Sequence, residues 1–281
     1  MRQLTIIGTG LIGGSLALAL KHHGFTGRIF GCDRASVLAQ AEARTAIDAG
    51  FDDPVQACAN SDVVVLATPV GAIMDLLERL GPLLPSDTLV TDVGSTKADV
   101  IARARDIFGE RAGERFLAGH PMAGKENSGI QQADANLFSG AVWLFTPLPG
   151  QDIRRGRAGD YLQWIERIRA RVVEMDVERH DRVCAWISHL PQMLSTALAA
   201  TLHDEFGNDP ELEAIGGRAL REMTRLAQSP YSMWRDIALT NTANIQEALL
   251  RLEQRLAHLR ENLRTRELEA EFDLARRFRK P

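Results

Sequence analysis

The segment Leu4-Thr5-Ile6-Ile7-Gly8-Thr9-Gly10-Leu11-Ile12-Gly13 decides the fold that we predict for this chain. Its first four residues form a short apolar run that suits a strand buried on both faces of a sheet. Three glycines follow at the spacing G-x-G-x-x-G, and the apolar residues after them predict a helix that ends at Gly24. A strand, a glycine turn and a helix in this order are typical of a loop that binds the pyrophosphate of a dinucleotide.

Each glycine of this loop has its own physical role. Gly8 allows the tight turn, Gly10 lets a pyrophosphate approach the backbone, and Gly13 lets the helix pack on the strand. The phosphates would lie at the positive end of the helix, which begins near Leu11 and Ile12. We therefore predict that these five residues bind a cofactor.

A second strand, at 28–32, ends in Asp33, twenty residues after Gly13. A carboxylate at this place binds the ribose 2′-hydroxyl of NAD and repels the 2′-phosphate of NADP. NAD is thus the expected cofactor, with NADP as the alternative because the neighbouring Arg34 can accept that phosphate. The competing interpretation is a plain glycine turn in which Asp33 caps the next helix.

Two further predicted strands, at 62–69 and 88–93, end at the same edge of the sheet. The first ends in Thr68-Pro69, in a turn of the kind that lines a nucleotide crevice. The second is followed by Ser95, which lies where open α/β sheets place their ligands. Ser95 also suits the N-cap of the helix that follows, and the two roles are compatible.

The eleven residues at 119–129 read G-H-P-M-A-G-K-E-N-S-G and follow another short strand at 116–118. The glycines loosen the backbone, whereas Pro121 restrains His120 to an extended conformation. A histidine held in this way, with Glu126 six residues on, predicts a functional site. On these residues alone, an ordinary polar loop is an equal alternative.

Strands stop after residue 177, and we expect an all-α second domain at 178–281 behind an α/β first domain at 1–177. The predicted order of the remaining segments is two strands at 142–147 and 172–175, an exposed connector at 151–159, a helix at 160–169, a helix at 178–206 kinked at Pro191, a helix at 211–227 and one long helix from 232 to about 277. The fold class is therefore an N-terminal Rossmann dinucleotide-binding domain followed by an all-α C-terminal dimerisation domain.

Apolar residues alternate in steps of four and three along the last predicted helix. They are Ile245, Leu249, Leu252, Leu256, Leu259 and Leu263. Such a heptad seam requires a partner helix, which we expect in a homodimer; packing against the chain's own helices is the alternative.

Composition excludes several classes of protein. The net charge of -4, from 33 basic and 37 acidic residues, argues against nucleic acid as a partner. No apolar run reaches membrane-spanning length, and Met1-Arg2-Gln3 leads into a strand rather than into a signal peptide. The three cysteines share no metal-site spacing. We expect a cytoplasmic protein that acts on a small molecule without a bound metal or a membrane.

The helical half offers only weak individual signals. Arg221 and Arg225 lie four residues apart, so they share a helical face that suits either an anionic ligand or solvent. His189 precedes a proline in an apolar helix, where a structural histidine is the commoner case. For His180 the sequence indicates no role.

Together these segments resemble the TyrA family, the prephenate, arogenate or cyclohexadienyl dehydrogenases of tyrosine biosynthesis, from Leu4 to about Arg260. The resemblance rests on the glycine loop, D-V-G-S-T-K at 92–97, G-H-P-M-A-G-K-E-N-S-G at 119–129, S-H-L-P at 188–191 and T-R-L-A at 224–227.

The resemblance implies an oxidative decarboxylation in which hydride leaves a cyclohexadiene for the nicotinamide as the ring becomes aromatic. It implies that His120 accepts the hydroxyl proton, that Ser95 hydrogen-bonds both His120 and that hydroxyl, and that Arg225 binds the ring carboxylate. The further substrate contacts that it implies are His189, Glu126, Arg221 and Trp234. Because His120 must be neutral to act, the rate should rise near an ordinary histidine pKa of about 6.5.

Two other functions compete with this one. A β-hydroxyacid-type dehydrogenase shares the two-domain plan but relies on a lysine in its helical domain, and this chain has no lysine from 178 to 279. A non-catalytic NAD-sensing protein would not need His120, Ser95 and Arg225 together.

Overall fold

The structure is a computed structural model that describes residues 1–125 and 127–278. Its centre is an eight-stranded sheet with the order β3-β2-β1-β4-β5-β6-β7-β8. The strands are β1 (Gln3–Ile7), β2 (Arg28–Cys32), β3 (Ala49–Phe51), β4 (Val63–Leu66), β5 (Leu89–Asp92), β6 (Phe116–Pro121), β7 (Val142–Thr146) and β8 (Arg171–Glu174). The first six pair in parallel, whereas β7 runs antiparallel to β6.

Helices cover both faces of this sheet. They are α1 (Leu11–His22), α2 (Ala35–Ala43), α3 (Pro54–Cys58), α4 (Val70–Leu80), α5 (Ala98–Phe108), α6 (Ala112–Arg115) and α7 (Gly156–Arg167). Alternate residues of a strand point to opposite faces, so Val63 and Val65 join one hydrophobic cluster while Val64 and Leu66 join another. The continuous apolar run of β4 is thus explained by burial on both sides.

The strand order reverses between β1 and β4, which are neighbours in the sheet although β2 and β3 come between them in the chain. Open α/β sheets bind their ligands at the carboxyl ends of the strands beside such a switch point. Here those ends are Ile7 and Leu66, so the glycine loop and Thr68-Pro69 lie on opposite sides of one crevice.

Three details of the N-terminal half differ from prediction. The short elements β3 and α3 were not expected from their sequence. Helix α7 begins at Gly156, so the second half of the predicted exposed connector is helical. Gly159 explains the early start, because a Cβ on it would lie 2.3 Å from the backbone oxygen of Arg154 and only glycine lets the helix pack there.

From Val177 to Phe278, all regular elements that the structure describes are helical. They are α8 (Val177–Cys184), α9 (Leu190–Phe206), α10 (Pro210–Ile215), α11 (Gly217–Thr224), α12 (Tyr231–Thr240), α13 (Thr242–Glu261) and α14 (Glu267–Phe278). A π-helical turn at Ala185–His189 joins α8 to α9 and takes the place of the kink predicted at Pro191. Since Pro191 has no N–H to donate to the preceding turn, that turn widens instead of closing normally.

The prediction of one continuous helix at 211–227 is wrong, because the segment forms two helices, α10 and α11. It divides at Gly216, and Gly217 has φ +55°, in the left-handed region that glycine favours. A 3₁₀ turn at Arg225–Gln228 follows α11.

The single long helix predicted from 232 to 277 is also wrong, because it is three helices. The first break is at Asn241, whose side-chain amide donates to the backbone oxygen of Asp181 at 2.8 Å. The second lies at 262–266, after which α14 packs beside α13 through an Arg255–Glu271 ion pair of 2.5 Å. At Asn241, a polar side chain that bonds outside its own helix ends the helix, although the apolar period continues.

The heptad seam on α13 is only partly covered within one chain. Ile245 is 6% exposed, whereas Leu256 and Leu263 are 50% and 64% exposed. The chain's own helices therefore bury the start of the seam and leave its end open. In the part of the chain that the structure describes, no helix combines the length and apolar character needed to cross a membrane.

Candidate active site

The glycine loop has the geometry that a dinucleotide requires. Gly8 has φ +93°, and a Cβ on it would lie 2.4 Å from the backbone oxygen of Ala67. A Cβ on Gly13 would lie 2.0 Å from the oxygen of Gly8, so glycine is required at both positions. At Gly10 a Cβ would meet no described heavy atom within 4 Å, which leaves the backbone open on the side where a pyrophosphate binds. The loop thus fits a dinucleotide pyrophosphate, which would lie against Gly8, Gly10, Gly13 and the N-terminus of α1 at Leu11 and Ile12.

Asp33 lies at the carboxyl end of β2 and holds the glycine loop in place. Its Oδ2 accepts hydrogen bonds from the backbone N–H of Thr9 at 2.8 Å and from the Thr9 hydroxyl at 3.3 Å. It does not cap α2, whose N-cap residue, Arg34, has an exposed side chain. Across the crevice, the buried Thr68 hydroxyl has no hydrogen-bond partner among the described residues. Both edges thus offer polar groups to a nucleotide.

A buried ion pair joins the loop after β5 to the end of β6. The Asp92 and Lys97 side chains are both fully buried and bonded to each other. Asp92 also accepts from the backbone N–H groups of Gly94 at 2.8 Å and Gly119 at 3.2 Å, while Lys97 Nζ donates to the Gly119 oxygen at 2.8 Å. The pair therefore fixes the residues immediately before Ser95 and His120.

Ser95 is half-buried, and within the described residues it makes no hydrogen bond to His120. It does not cap α5 either, because Lys97 occupies the N-cap position without a side-chain cap. Instead, Asp181 of α8 accepts from the backbone N–H groups of Lys97 at 2.8 Å and Ala98 at 2.9 Å. The helical half thus caps a helix of the α/β half beside the candidate site.

His120 is the last residue but one of β6, is 8% exposed and meets the helical half directly. Its Nδ1 lies 3.0 Å from Nε2 of His180, and His180 Nδ1 lies 2.8 Å from Oδ1 of Asp181. The sequence indicated no role for His180. The structure corrects this, because the fully buried ring of His180 contacts His120, the central histidine of the site. Its partner is sixty residues away in sequence, so no local motif reveals the contact.

Burial lowers the pKa of His120 well below its ordinary value, and the nearby His180, Lys97 and His189 lower it further. A lowered pKa means that the imidazole is already neutral at pH 6.5. We therefore expect kcat/KM to be independent of pH from about 6.5 upward through neutrality and to fall only in more acidic solution. A pH profile of kcat/KM checks this; half-maximal activity near pH 6.5, as the sequence predicts, would contradict it.

His189 and Trp234 form a second polar subsite in the helical half. The rings meet edge to face with centroids 5.9 Å apart. Asn241 lies 3.2 Å from Nδ1 of His189, and His189 Nε2 and Trp234 Nε1 are buried without a hydrogen-bond partner in the described chain. Burial lowers the pKa of His189 to about 4, although Asp181 opposes the shift, so the ring is neutral. A buried polar atom without a partner requires an explanation, and a bound ligand can supply the missing hydrogen bond.

The two arginines predicted to contact the substrate lie at the surface of the helical half. Arg221 in α11 and Arg225 at the start of the 3₁₀ turn both have exposed side chains. The turn itself is tied to α9, because Gln192 Nε2 donates to the backbone oxygen of Leu226 at 2.8 Å. Glu126 lies outside the described residues.

A Rossmann crevice with a neutral, buried histidine at the same sheet edge defines the class: NAD(P)-dependent dehydrogenases of two domains. The family model "Prephenate dehydrogenase, nucleotide-binding domain" matches residues 16–174, and "Prephenate dehydrogenase, dimerization domain" matches residues 176–280. The chain belongs to the prephenate dehydrogenase family.

Individual relatives agree with this assignment. The prephenate dehydrogenase of Lactococcus lactis is 32% identical over 93% of this chain and 70% of its own length. The structure of Aquifex aeolicus prephenate dehydrogenase with hydroxyphenyl propionate and NAD+ is 33% identical, with a TM-score of 0.85 over 99% of this chain and 95% of that one. Synechocystis arogenate dehydrogenase is 27% identical, with a TM-score of 0.78 over 99% and 98%.

These findings confirm the predicted fold class, the resemblance to TyrA, the dehydrogenase class and the NAD-binding domain. They favour that function over both alternatives, the β-hydroxyacid type and the non-catalytic sensor. The choice between NAD and NADP at Arg34 stays a prediction.

Proposed function

We propose that the protein oxidatively decarboxylates prephenate, arogenate or both, forming 4-hydroxyphenylpyruvate or tyrosine with transfer of hydride to NAD(P). The observation that carries this proposal is the buried, neutral His120 beside the dinucleotide crevice. A neutral imidazole is a proton acceptor, and this reaction requires one at a hydroxyl group.

When bound, the nicotinamide accepts the hydride from C4 of the substrate ring. His120 takes the proton of the C4 hydroxyl as that oxygen becomes a carbonyl. The bond from C1 to the ring carboxylate then breaks, carbon dioxide leaves, and its bonding electrons complete the aromatic ring. The phenolate oxygen takes the proton back from His120, so the reaction releases no net proton.

The helical half would bind the rest of the substrate. Arg225 would hold the ring carboxylate, since a guanidinium matches a carboxylate with paired donors. Nε2 of His189 and Nε1 of Trp234, which have no partner among the residues that the structure describes, would supply further hydrogen bonds to its polar groups. Arg221 and Glu126 would complete the mouth of the pocket.

Ser95 would hydrogen-bond the reacting hydroxyl together with His120. What supports this role is its place at the carboxyl end of β5, next to Gly94, whose N–H is held by Asp92. The Asp92–Lys97 pair would then keep Ser95 and His120 at a constant separation while substrate and cofactor enter.

Replacing Arg225 with Ala is expected to raise the substrate KM by about 10- to 100-fold with a small change in kcat. Loss of a charge-assisted hydrogen bond costs about 1.5–3 kcal/mol, and this contact is also made in the ground state. Steady-state kinetics checks it, with Arg218→Ala as the matched control, because Arg218 is an exposed arginine of α11 that pairs with Glu222 at 2.6 Å. An unchanged KM would remove Arg225 from the site.

The proposed function is tested by supplying prephenate and arogenate, each with NAD+ and with NADP+, and following absorbance of the reduced cofactor. We expect turnover with at least one pair, and NAD+ to be preferred if Asp33 dominates over Arg34. No reduced cofactor in any of the four mixtures would refute the proposal.

We also propose that the protein is a cytoplasmic homodimer joined through its C-terminal helices. The matched dimerization domain and the open end of the α13 seam support the dimer. The three free, buried cysteines suit a reducing compartment.

Sedimentation should show twice the 31.0 kDa mass of the chain. Leu256→Glu should shift the protein toward monomer, because it places a charge on the seam. Leu83→Glu is the control, since Leu83 is 61% exposed in the N-terminal half. A monomeric wild-type protein at micromolar concentration would contradict the dimer.

A further inference from the structure

Three buried polar side chains form a continuous line that ends at His120. His120 Nδ1 lies 3.0 Å from His180 Nε2, and His180 Nδ1 lies 2.8 Å from Asp181 Oδ1. His180 is fully buried and Asp181 is 3% exposed. Neither residue belongs to a motif of the sequence, and the reaction described above does not yet use them.

The carboxylate end of this line is rigid and charged. Burial alone would raise the pKa of Asp181, but hydrogen bonds from His180 and from the backbone N–H groups of Ala98 and Lys97 hold it below its ordinary value. Asn241 holds the same residue by donating to its backbone oxygen at 2.8 Å. Asp181 is therefore an acceptor only.

The Asp181 carboxylate determines which nitrogen of each histidine ring carries a hydrogen. A carboxylate cannot donate, so Nδ1 of His180 carries the proton of this hydrogen bond. With the hydrogen of the His180 ring on Nδ1, Nε2 presents its lone pair and accepts the hydrogen bond from His120. His120 carries its hydrogen on Nδ1, and its own lone pair lies on Nε2.

We propose that His180 and Asp181 are positioning residues that hold His120 in the Nδ1–H tautomer, so that Nε2 is the atom that takes the substrate proton. The inference rests on the proposed function for its chemistry but not for the tautomer itself. When His120 is protonated, its Nδ1–H keeps the bond to His180. The line thus aims the base both before and after the proton is transferred.

A metal ion is the competing use of this cluster. One atom each from His120, His180 and Cys184 lie within 4.8 Å of one another. The hydrogen bonds already account for the orientation of both rings, and Cys184 is near because it follows His180 by one turn of α8. Burial raises the pKa of the Cys184 thiol to about 12, so the sulfur keeps its proton and is a poor ligand.

The variants His180→Gln and His180→Leu separate positioning from packing. Glutamine places an acceptor oxygen near the position of Nε2, whereas leucine has none. We expect kcat of His180→Leu to fall by about 10²- to 10⁴-fold with KM little changed, and His180→Gln to keep at least about tenfold more activity than His180→Leu. Equal activity of His180→Leu and wild type would overturn the proposal, as would equal losses in both variants.

Histidine ¹⁵N spectra of the full chain without substrate test the tautomer independently of turnover. We expect His120 to be protonated at Nδ1 and not at Nε2 near neutral pH, in the wild type and in His180→Gln. The Nε2–H tautomer in the wild type would overturn the proposal. If the spectra agree and no substrate is turned over, the proposed function fails while the tautomer assignment stands.

Elemental analysis tests whether His120, His180 and Cys184 bind a metal ion instead. We expect no stoichiometric zinc in the purified wild-type protein and the same kcat in Cys184→Ser as in the wild type. One zinc per chain that is lost in Cys184→Ser would replace the hydrogen-bonded line with a metal site.

Discussion

Replacing His120 with Asn should lower kcat by about 10²- to 10⁴-fold while leaving substrate KM nearly unchanged. The asparagine amide can occupy the place of Nδ1 and keep the hydrogen bond to His180, so the local structure is preserved. Nothing then reaches the place of Nε2, where the substrate proton is accepted. The lost interaction belongs to the transition state, so kcat falls rather than affinity.

Steady-state kinetics on the variant checks this, with His203→Asn as the matched control. His203 is an exposed histidine of α9, and its replacement should leave kcat as in the wild type. A His120→Asn enzyme with wild-type kcat would show that another group takes the proton. Loss of activity in the control would show that the substitution acts through stability.

Replacing Lys97 with Met should lower the free energy of unfolding by about 3–5 kcal/mol. Both side chains of the Lys97–Asp92 pair are fully buried, so removal of the lysine leaves an uncompensated carboxylate in the interior. The hydrogen bond from Lys97 to the Gly119 oxygen is lost as well. Because the pair sets the positions of Gly94 and Gly119, kcat should fall with stability.

Urea denaturation measures this loss in the free energy of unfolding, and two further variants serve as comparisons. Arg103→Met breaks an exposed ion pair with Glu78 and should cost less than about 1 kcal/mol. The double variant Lys97→Met/Asp92→Asn removes both charges and should be more stable than Lys97→Met alone. A single variant no less stable than Arg103→Met would mean that the buried pair adds nothing to stability.

Features that a few adjacent residues determine were predictable from the sequence. Gly8 and Gly13 are required by contacts inside one turn, and Asp33 follows from the length of the βαβ unit. His120 was predictable as a site because it follows a strand that ends at the same sheet edge as the glycine loop and Ser95. The expectation that its segment is only a loop is corrected, since Gly119 and Pro121 lie in the buried strand β6. The structure adds the backbone geometry that makes each of these residues necessary.

Features that depend on distant partners were not predictable. His180 is defined by contacts with His120 and Asp181, and only one of these is near it in sequence. Asn241 ends a helix because its amide is used by Asp181, a competition that apolar periodicity cannot reveal. Lys97 has one partner nearby in sequence, Asp92, but it also donates to the backbone oxygen of Gly119 in β6, a contact that the sequence does not reveal.

Oxidative decarboxylation at His120 is tested most directly by measuring reduced cofactor and carbon dioxide in the same sample, supplied with NAD+ and, in turn, with prephenate and arogenate. We expect equal molar amounts of the two products with at least one substrate, and about 10²- to 10⁴-fold less of both for His120→Asn within the same time. Reduced cofactor without carbon dioxide, or neither product with either substrate, would contradict the proposed reaction.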